Sequence, residues 1–289
     1  MKKIWYALML SLILTAVLGA VPVFAASAKS GVVSMCDESV DFGSDTYDKL
    51  DITGDAAPDT VAVDVTEASR VLKVNGQAVK TWKGTSEIPS FKLVTVAGKT
   101  FLEVTEENVS KKTSSCGLYL ISGGKLKKAF DYTTLVNKKL LVKGKFVSDG
   151  DNFDMITVDK VKGNTLFLTA SLSTKSLGYF KIQNLKLKYS GGKFKLAAAA
   201  GKTKCLLMDM KTGKQFKSFT AKKALTVYKK AGSKKKAGFK IAANKTFEMK
   251  KAAVVKKNIY VQIRSAGKTG WLKLDKSNMV KMGGILMWG

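Results

Sequence analysis

The chain of 289 residues carries 50 lysines and arginines against 22 aspartates and glutamates, a formal charge of +28, and contains no histidine. The missing imidazole excludes His-based triads, His-ligated metals and imidazole acid–base chemistry, which leaves carboxylates or a thiol as catalytic options. The charge is polarised: residues 29–70 hold three basic and ten acidic residues, whereas residues 201–289 hold 23 basic and three acidic ones, so the C-terminal part should favour an anionic partner.

In chain order, the first segment is MKKIWYALMLSLILTAVLGAVPVFAASA (1–28). Lys2 and Lys3 precede an apolar run, and small residues follow Pro22. This pattern predicts a signal peptide over residues 1–28, cleaved after Ala25 or Ala28. An uncleaved anchor is the alternative, because the apolar run nearly reaches spanning length. Cleavage predicts a secreted or cell-envelope protein with no transmembrane segment, since no later apolar stretch is long enough to span. Cys36, Cys116 and Cys205 allow one disulfide and one thiol, or serve as small buried hydrophobes.

Next comes KLDITGDAAPDTVAV (49–63), in which Asp51, Asp55 and Asp59 recur at every fourth residue. Calcium takes six to eight hard oxygen ligands, often from alternate positions of a tight loop. With Asp51 first, Thr53 falls third, Asp55 fifth, the Ala57 carbonyl seventh and Asp59 ninth, which is such a ladder. The alternative is an acidic turn before a strand. The stretch resembles the FG-GAP repeat, through Phe42-Gly43 upstream, Gly54-Asp55, Pro58-Asp59 and the apolar Val61-Ala62-Val63. The resemblance implies a loop-and-strand unit that binds calcium as its cofactor. Thr53 and Ala56 depart from that pattern: Thr53 offers only a hydroxyl, and Ala56 stands where a glycine would accept positive φ. Any calcium affinity should therefore be modest.

Short alternating runs broken by Gly, Asn and Lys then dominate, the habit of an all-β chain. VLKVNGQAVKTW (71–82) places Asn75-Gly76 between two such runs and predicts a type I′ hairpin. GLYLISGGKLKKAF (117–130) and LKLKYSGGKFKL (185–196) share a Ser-Gly-Gly-Lys turn. Each is preceded by a similar segment, AGKTFLEVT (97–105) and KGNTLFLTA (162–170), which fits a duplicated β-unit. A second acidic patch, SDGDNFDMITV (148–158), holds Asp149, Asp151 and Asp154. Residues 30–210 are expected to form a β-domain, either partial propeller-like or a β-sandwich. They suffice for about three blades, fewer than a closed propeller needs.

Alternation fades after Gly201, and residues 211–223 are expected to link to a second unit. Residues 224–275 read as five short strands, 226–228, 239–241, 247–249, 259–263 and 270–274, followed by a tail over 276–289. The stretch resembles the bacterial SH3-like domain, chiefly in YVQIRSAGKTGWLKL (260–274), where Gly270-Trp271 precedes the last strand. That resemblance implies a small barrel and attachment to cell-wall peptidoglycan. Tyr228 stands where many members have arginine, and the loop holding Lys234, Lys235 and Lys236 is unusually rich in lysine. An anionic polymer such as teichoic acid is thus an equal candidate. The candidate ligand-binding residues are Tyr228, Lys234, Lys235, Lys236, Tyr260 and Trp271, although a core role is the first expectation for Trp271, since a small barrel needs such a residue.

Together these features predict an exported, non-catalytic, all-β binding protein. One rival is a cell-envelope hydrolase with an accessory targeting module, for which Asp149, Asp151 and Asp154 are the best catalytic candidates. A nucleic-acid binder is the other, but the chain has only Arg70 and Arg264 as arginines and a predicted export signal, so no specific nucleic acid is expected.

Overall fold

The computed structural model describes residues 30–35, 43–66, 69–83, 90–108, 113–141, 156–198, 200–205, 207–209, 216, 218–281 and 285–287. The predicted signal peptide, Cys36, Asp149, Asp151 and Asp154 lie outside these residues, as do the side chains of Cys116 and Cys205. The protein is all-β: among the described residues it has strands and two short 3-10 turns, and no helix long and apolar enough to cross a membrane.

Strand β1 (Gly31–Met35) precedes a meander of β2 (Gly43–Leu50), β3 (Asp59–Val65), β4 (Ser69–Val74) and β5 (Gln77–Lys83), paired antiparallel in that order. A second meander, β6 (Ser90–Val96), β7 (Lys99–Asn108), β8 (Thr113–Ser122) and β9 (Lys125–Asp131), takes β1 onto its β6 edge. A third comprises β10 (Ile156–Lys162), β11 (Thr165–Thr174), β12 (Gly178–Ser190) and β13 (Lys193–Ala198). The two similar segments occupy equivalent places, at the first turn and second strand of meanders two and three, and both Ser-Gly-Gly-Lys turns join third to fourth strands. At the matching turn of the first meander, Asn75 and Gly76 have φ of 50° and 77°, as a type I′ hairpin requires.

The middle meander is buried on both faces. Phe91, Leu93, Leu102 and Val104 pack with Val61, Val63, Leu72 and Trp82 of the first meander. Val94, Val96 and Phe101 pack with Leu166, Leu168, Leu187 and Tyr189 of the third. Alternate residues of one strand thus serve two cores, which is why FKLVTV and TFLEVT read as nearly continuous apolar runs. Edge-on aromatic contacts, Phe101–Tyr189 at 5.3 Å and Phe101–Phe194 at 5.0 Å, lock the second interface. The three meanders thus pack as successive antiparallel sheets, the second between the first and the third.

The chain continues through β14 (Ala200–Cys205), β15 (Leu207–Asp209) and β16 (Ser218–Thr220). The five strands expected next are β17 (Leu225–Tyr228), β18 (Lys236–Ile241), β19 (Thr246–Val255), β20 (Asn258–Ser265) and β21 (Lys268–Lys273). They pair in the order β19-β20-β21-β17-β18. The expected small barrel is not closed: among the described residues β18 and β19 form no pair. The far edge of β19 is already taken, by β16 along Thr246–Glu248 and by β14 along Lys251–Ala253. Because β14 also pairs with β12, one eleven-stranded sheet runs from the third meander into the C-terminal strands. Its inner face is one buried cluster that includes Leu187, Phe180, Val261, Leu272 and Val280. The last strand, β22 (Ile285–Met287), pairs with β15.

Candidate functional site

The aspartate ladder forms the connection between β2 and β3. One carboxylate oxygen from each of Asp51, Asp55 and Asp59 lies within 4.8 Å of the others. Two oxygens on opposite sides of a calcium ion would stand about 4.8 Å apart, so the cluster has the size of one such cation. Gly54 and Ala56 both adopt positive φ, 87° and 69°, so the chain holds alanine in the backbone region where glycine is easier.

The carboxylates are also tied to the loop itself. The Ile52 and Thr53 amides donate to Asp59 Oδ2 at 2.7 and 2.8 Å, and Thr53 Oγ1 and Asn75 Nδ2 donate to Oδ1 at 3.2 and 2.7 Å. Burial alone would raise the Asp59 carboxyl, but these donors outweigh it and hold the group below the usual carboxylate range. The Gly54 and Ala56 amides donate to Asp51 at 2.6 and 3.0 Å, and the Ala57 amide to Asp55 at 2.9 Å. Asp59 is buried and Asp51 half-buried, while Asp55 and Ala57 are exposed. The oxygen-only donor set fits a hard cation. With its acceptor positions shared among four protein donors, Asp59 is first of all the residue that shapes the loop.

The C-terminal candidates meet on the outer face of the large sheet. Lys236 stands opposite Tyr228, Tyr228 opposite Trp271, Trp271 opposite Gln262, and Gln262 opposite Lys251. Directly opposed residues share a face, with Cβ atoms about 5 Å apart, so these five form one row across the strands. Lys236 and Lys251 are exposed, while Tyr228, Trp271 and Gln262 are half-buried. Their strand neighbours Val227, Leu272, Val261 and Ile263 point the other way, into the core. Trp271 is therefore not one of the core residues.

Gly270 makes this pairing possible. A Cβ there would run into Val227 Cγ1 and come within 3.2 Å of the Tyr228 carbonyl oxygen. Without it β21 lies close against β17, and Trp271 faces Tyr228. Tyr260 occupies the same face two residues from Gln262, opposite Lys273, but is only 8% exposed. Lys234 and Lys235 are exposed in the β17–β18 connection beside the row, where the Lys229 amide donates to the Lys235 carbonyl at 3.0 Å.

Gln262 escaped the sequence reading, because its place depends on strand register rather than on residue type. So did Glu103, a buried carboxylate within β7, signalled in sequence only as a lone acid in an apolar run. A scan against family models and searches of curated proteins and solved structures find no match to this chain.

Proposed function

We propose that the protein is an exported, non-catalytic binding protein that attaches through its C-terminal strands to the cell wall or another anionic extracellular polymer. The observation that carries this reading is the Tyr228–Trp271 pair, set on the polar face of the sheet and bracketed by Lys236 and Lys251. Large rings on a face whose core is filled by other residues offer a flat contact, and the lysines add non-selective attraction for phosphate or carboxylate. The charge around it supports the same reading: residues 218–281 hold 18 basic and two acidic residues, and both acids, Glu248 and Asp275, are already paired with Lys250 and Lys273. The resemblance to bacterial SH3-like modules points to the same class of partner.

The test is retention of the full chain on purified cell walls, with and without their teichoic acid, across a salt series. Retention should fall when the acid polymer is removed and as salt rises, and Trp271→Ala should weaken it about tenfold. Equal retention of wild type and Trp271→Ala at every salt concentration overturns the reading. A clearing band in a zymogram on cell-wall substrate would establish the hydrolase instead.

The second part of the proposal is a calcium ion at Asp51, Asp55 and Asp59, with the Thr53 hydroxyl and the Ala57 carbonyl completing the ladder. The convergence of three carboxylates within 4.8 Å supports it. Bound calcium would neutralise their mutual repulsion and raise the melting temperature by mass action. Melting in excess EDTA and in millimolar calcium checks this: an unchanged midpoint with no heat of binding leaves only a self-capped acidic turn.

A further inference from the structure

The outer face that carries Trp271 continues beyond the C-terminal strands. On β14, Lys202 stands opposite Lys251, and Gln183 of β12 stands opposite Lys202. Gln183 and Asn184 are both exposed, with Asn184 at φ 62°, an irregularity that leaves Ile182, Leu185 and Leu187 in the core and Lys186 and Lys188 outside. Lys186 is opposite Phe167, and Phe167 is opposite Lys160. Both ammonium groups sit over the Phe167 ring, at 5.2 Å for Lys160 and 5.5 Å for Lys186. The ring thus holds two cations together on the polar face of the same sheet.

We infer that Lys160, Phe167 and Lys186 form a second anion-binding station, and that the ligand is a linear glycan bearing repeated anionic groups, long enough to reach both this station and the Tyr228–Trp271 row. This rests on the function proposed above. The ligand class follows from what each station offers. Tyr228 and Trp271 are half-buried aromatics on the polar face, the residue type on which a sugar stacks, whereas the Phe167 ring is capped by lysines and offers charge. From Phe167 on β11 to Trp271 on β21 is five strand steps, about 24 Å at ordinary strand spacing. A chain that spans this distance gains the second contact intramolecularly, and a shorter one does not.

The probes are galacturonate oligomers of two lengths, one too short to span and one well beyond it, titrated against the full chain. Lys160→Gln/Lys186→Gln should weaken the long oligomer on the order of tenfold and leave the short one unchanged. Trp271→Ala should weaken both. Lys222→Gln/Lys223→Gln removes the same charge from exposed positions outside both stations and should affect neither length by more than about twofold. Failure of the station variant to separate long from short, while Trp271→Ala still weakens both, overturns the bridging inference and leaves the proposed function standing. Failure of Trp271→Ala to matter for either length overturns the function itself. Equal losses from the Lys222/Lys223 control reduce the station to a general basic field. Preference for a single-stranded thymidine oligomer of equal charge overturns the glycan class.

Discussion

Two buried carboxylates give the molecule opposite responses to pH. Glu103 accepts hydrogen bonds from Tyr132 Oη at 2.7 Å, the Val158 amide at 2.8 Å and Thr157 Oγ1 at 3.0 Å, with Lys92 Nζ 3.8 Å away. Its burial dominates, and Lys92 and the three donors offset it only in part, so the carboxyl titrates above its ordinary 4.5. The folded protein then holds a proton that the unfolded chain has lost. The stabilisation from protonated Glu103 is full below about pH 4.5 and is lost as pH rises through the folded value. Asp59 has the reverse sign: its contribution is present above about pH 3.8 and is lost as pH falls through its lowered folded value. Urea denaturation across pH should show the first slope flattened in Glu103→Gln and the second flattened in Asp59→Asn. Glu103→Ala should cost about 2 kcal/mol or more near neutral pH, since it strands the Val158 amide between two sheets. A loss under about 1 kcal/mol would mean that water replaces the carboxylate at that junction.

At the scale of the strand, hairpins were legible and their neighbours were not. Asn75-Gly76 and the two Gly-Gly turns mark local geometry that only a few residue types adopt easily, so three hairpins could be placed from the sequence. The β19–β20 turn went unmarked because it sets lysine where glycine or asparagine is usual: Lys256 and Lys257 have φ of 48° and 63°. The tertiary structure holds that turn in place, through the Asn137 amide donating to the Lys257 carbonyl at 2.8 Å. Lys257→Gly should relieve about 1 kcal/mol and raise the melting midpoint by about 2 °C, and a fall in the midpoint would mean that the turn is not strained. Gly270 predicts the opposite outcome. Gly270→Ala pushes β21 away from Val227 and should destabilise by about 2 kcal/mol. Because the same shift parts Trp271 from Tyr228, it should also weaken polymer binding. Unchanged binding in a folded Gly270→Ala protein would separate the aromatic pair from function. The Asp51–Asp59 ladder was visible as spacing, whereas the Trp271 row arises from five strands whose register no local pattern encodes.

At the scale of the molecule, the eleven-stranded sheet joins the third meander to the basic C-terminal strands. The buried cluster under it is continuous from Val94 on β6 to Val280 near the chain end, and Phe219 and Ala221, within the stretch expected to be a linker, belong to it. The β12–β14–β19 pairing adds backbone hydrogen bonds across the same junction. An interface of this kind, apolar and hydrogen-bonded, couples unfolding on its two sides. Calorimetry of the full chain should therefore give one cooperative transition from the third meander through β21. Leu187→Ala and Val261→Ala lie on opposite sides of β14, and each should cost about 2–4 kcal/mol and lower that same transition rather than split it. Two resolved transitions, each sensitive to only one of these substitutions, would show separately folding units. Rigidity here bears directly on bridging. If the sheet unfolds as one body, the Phe167 and Trp271 stations are held at a constant separation, and the length at which an anionic chain gains affinity should be sharp. Two independently moving units would smear that threshold over a range of lengths.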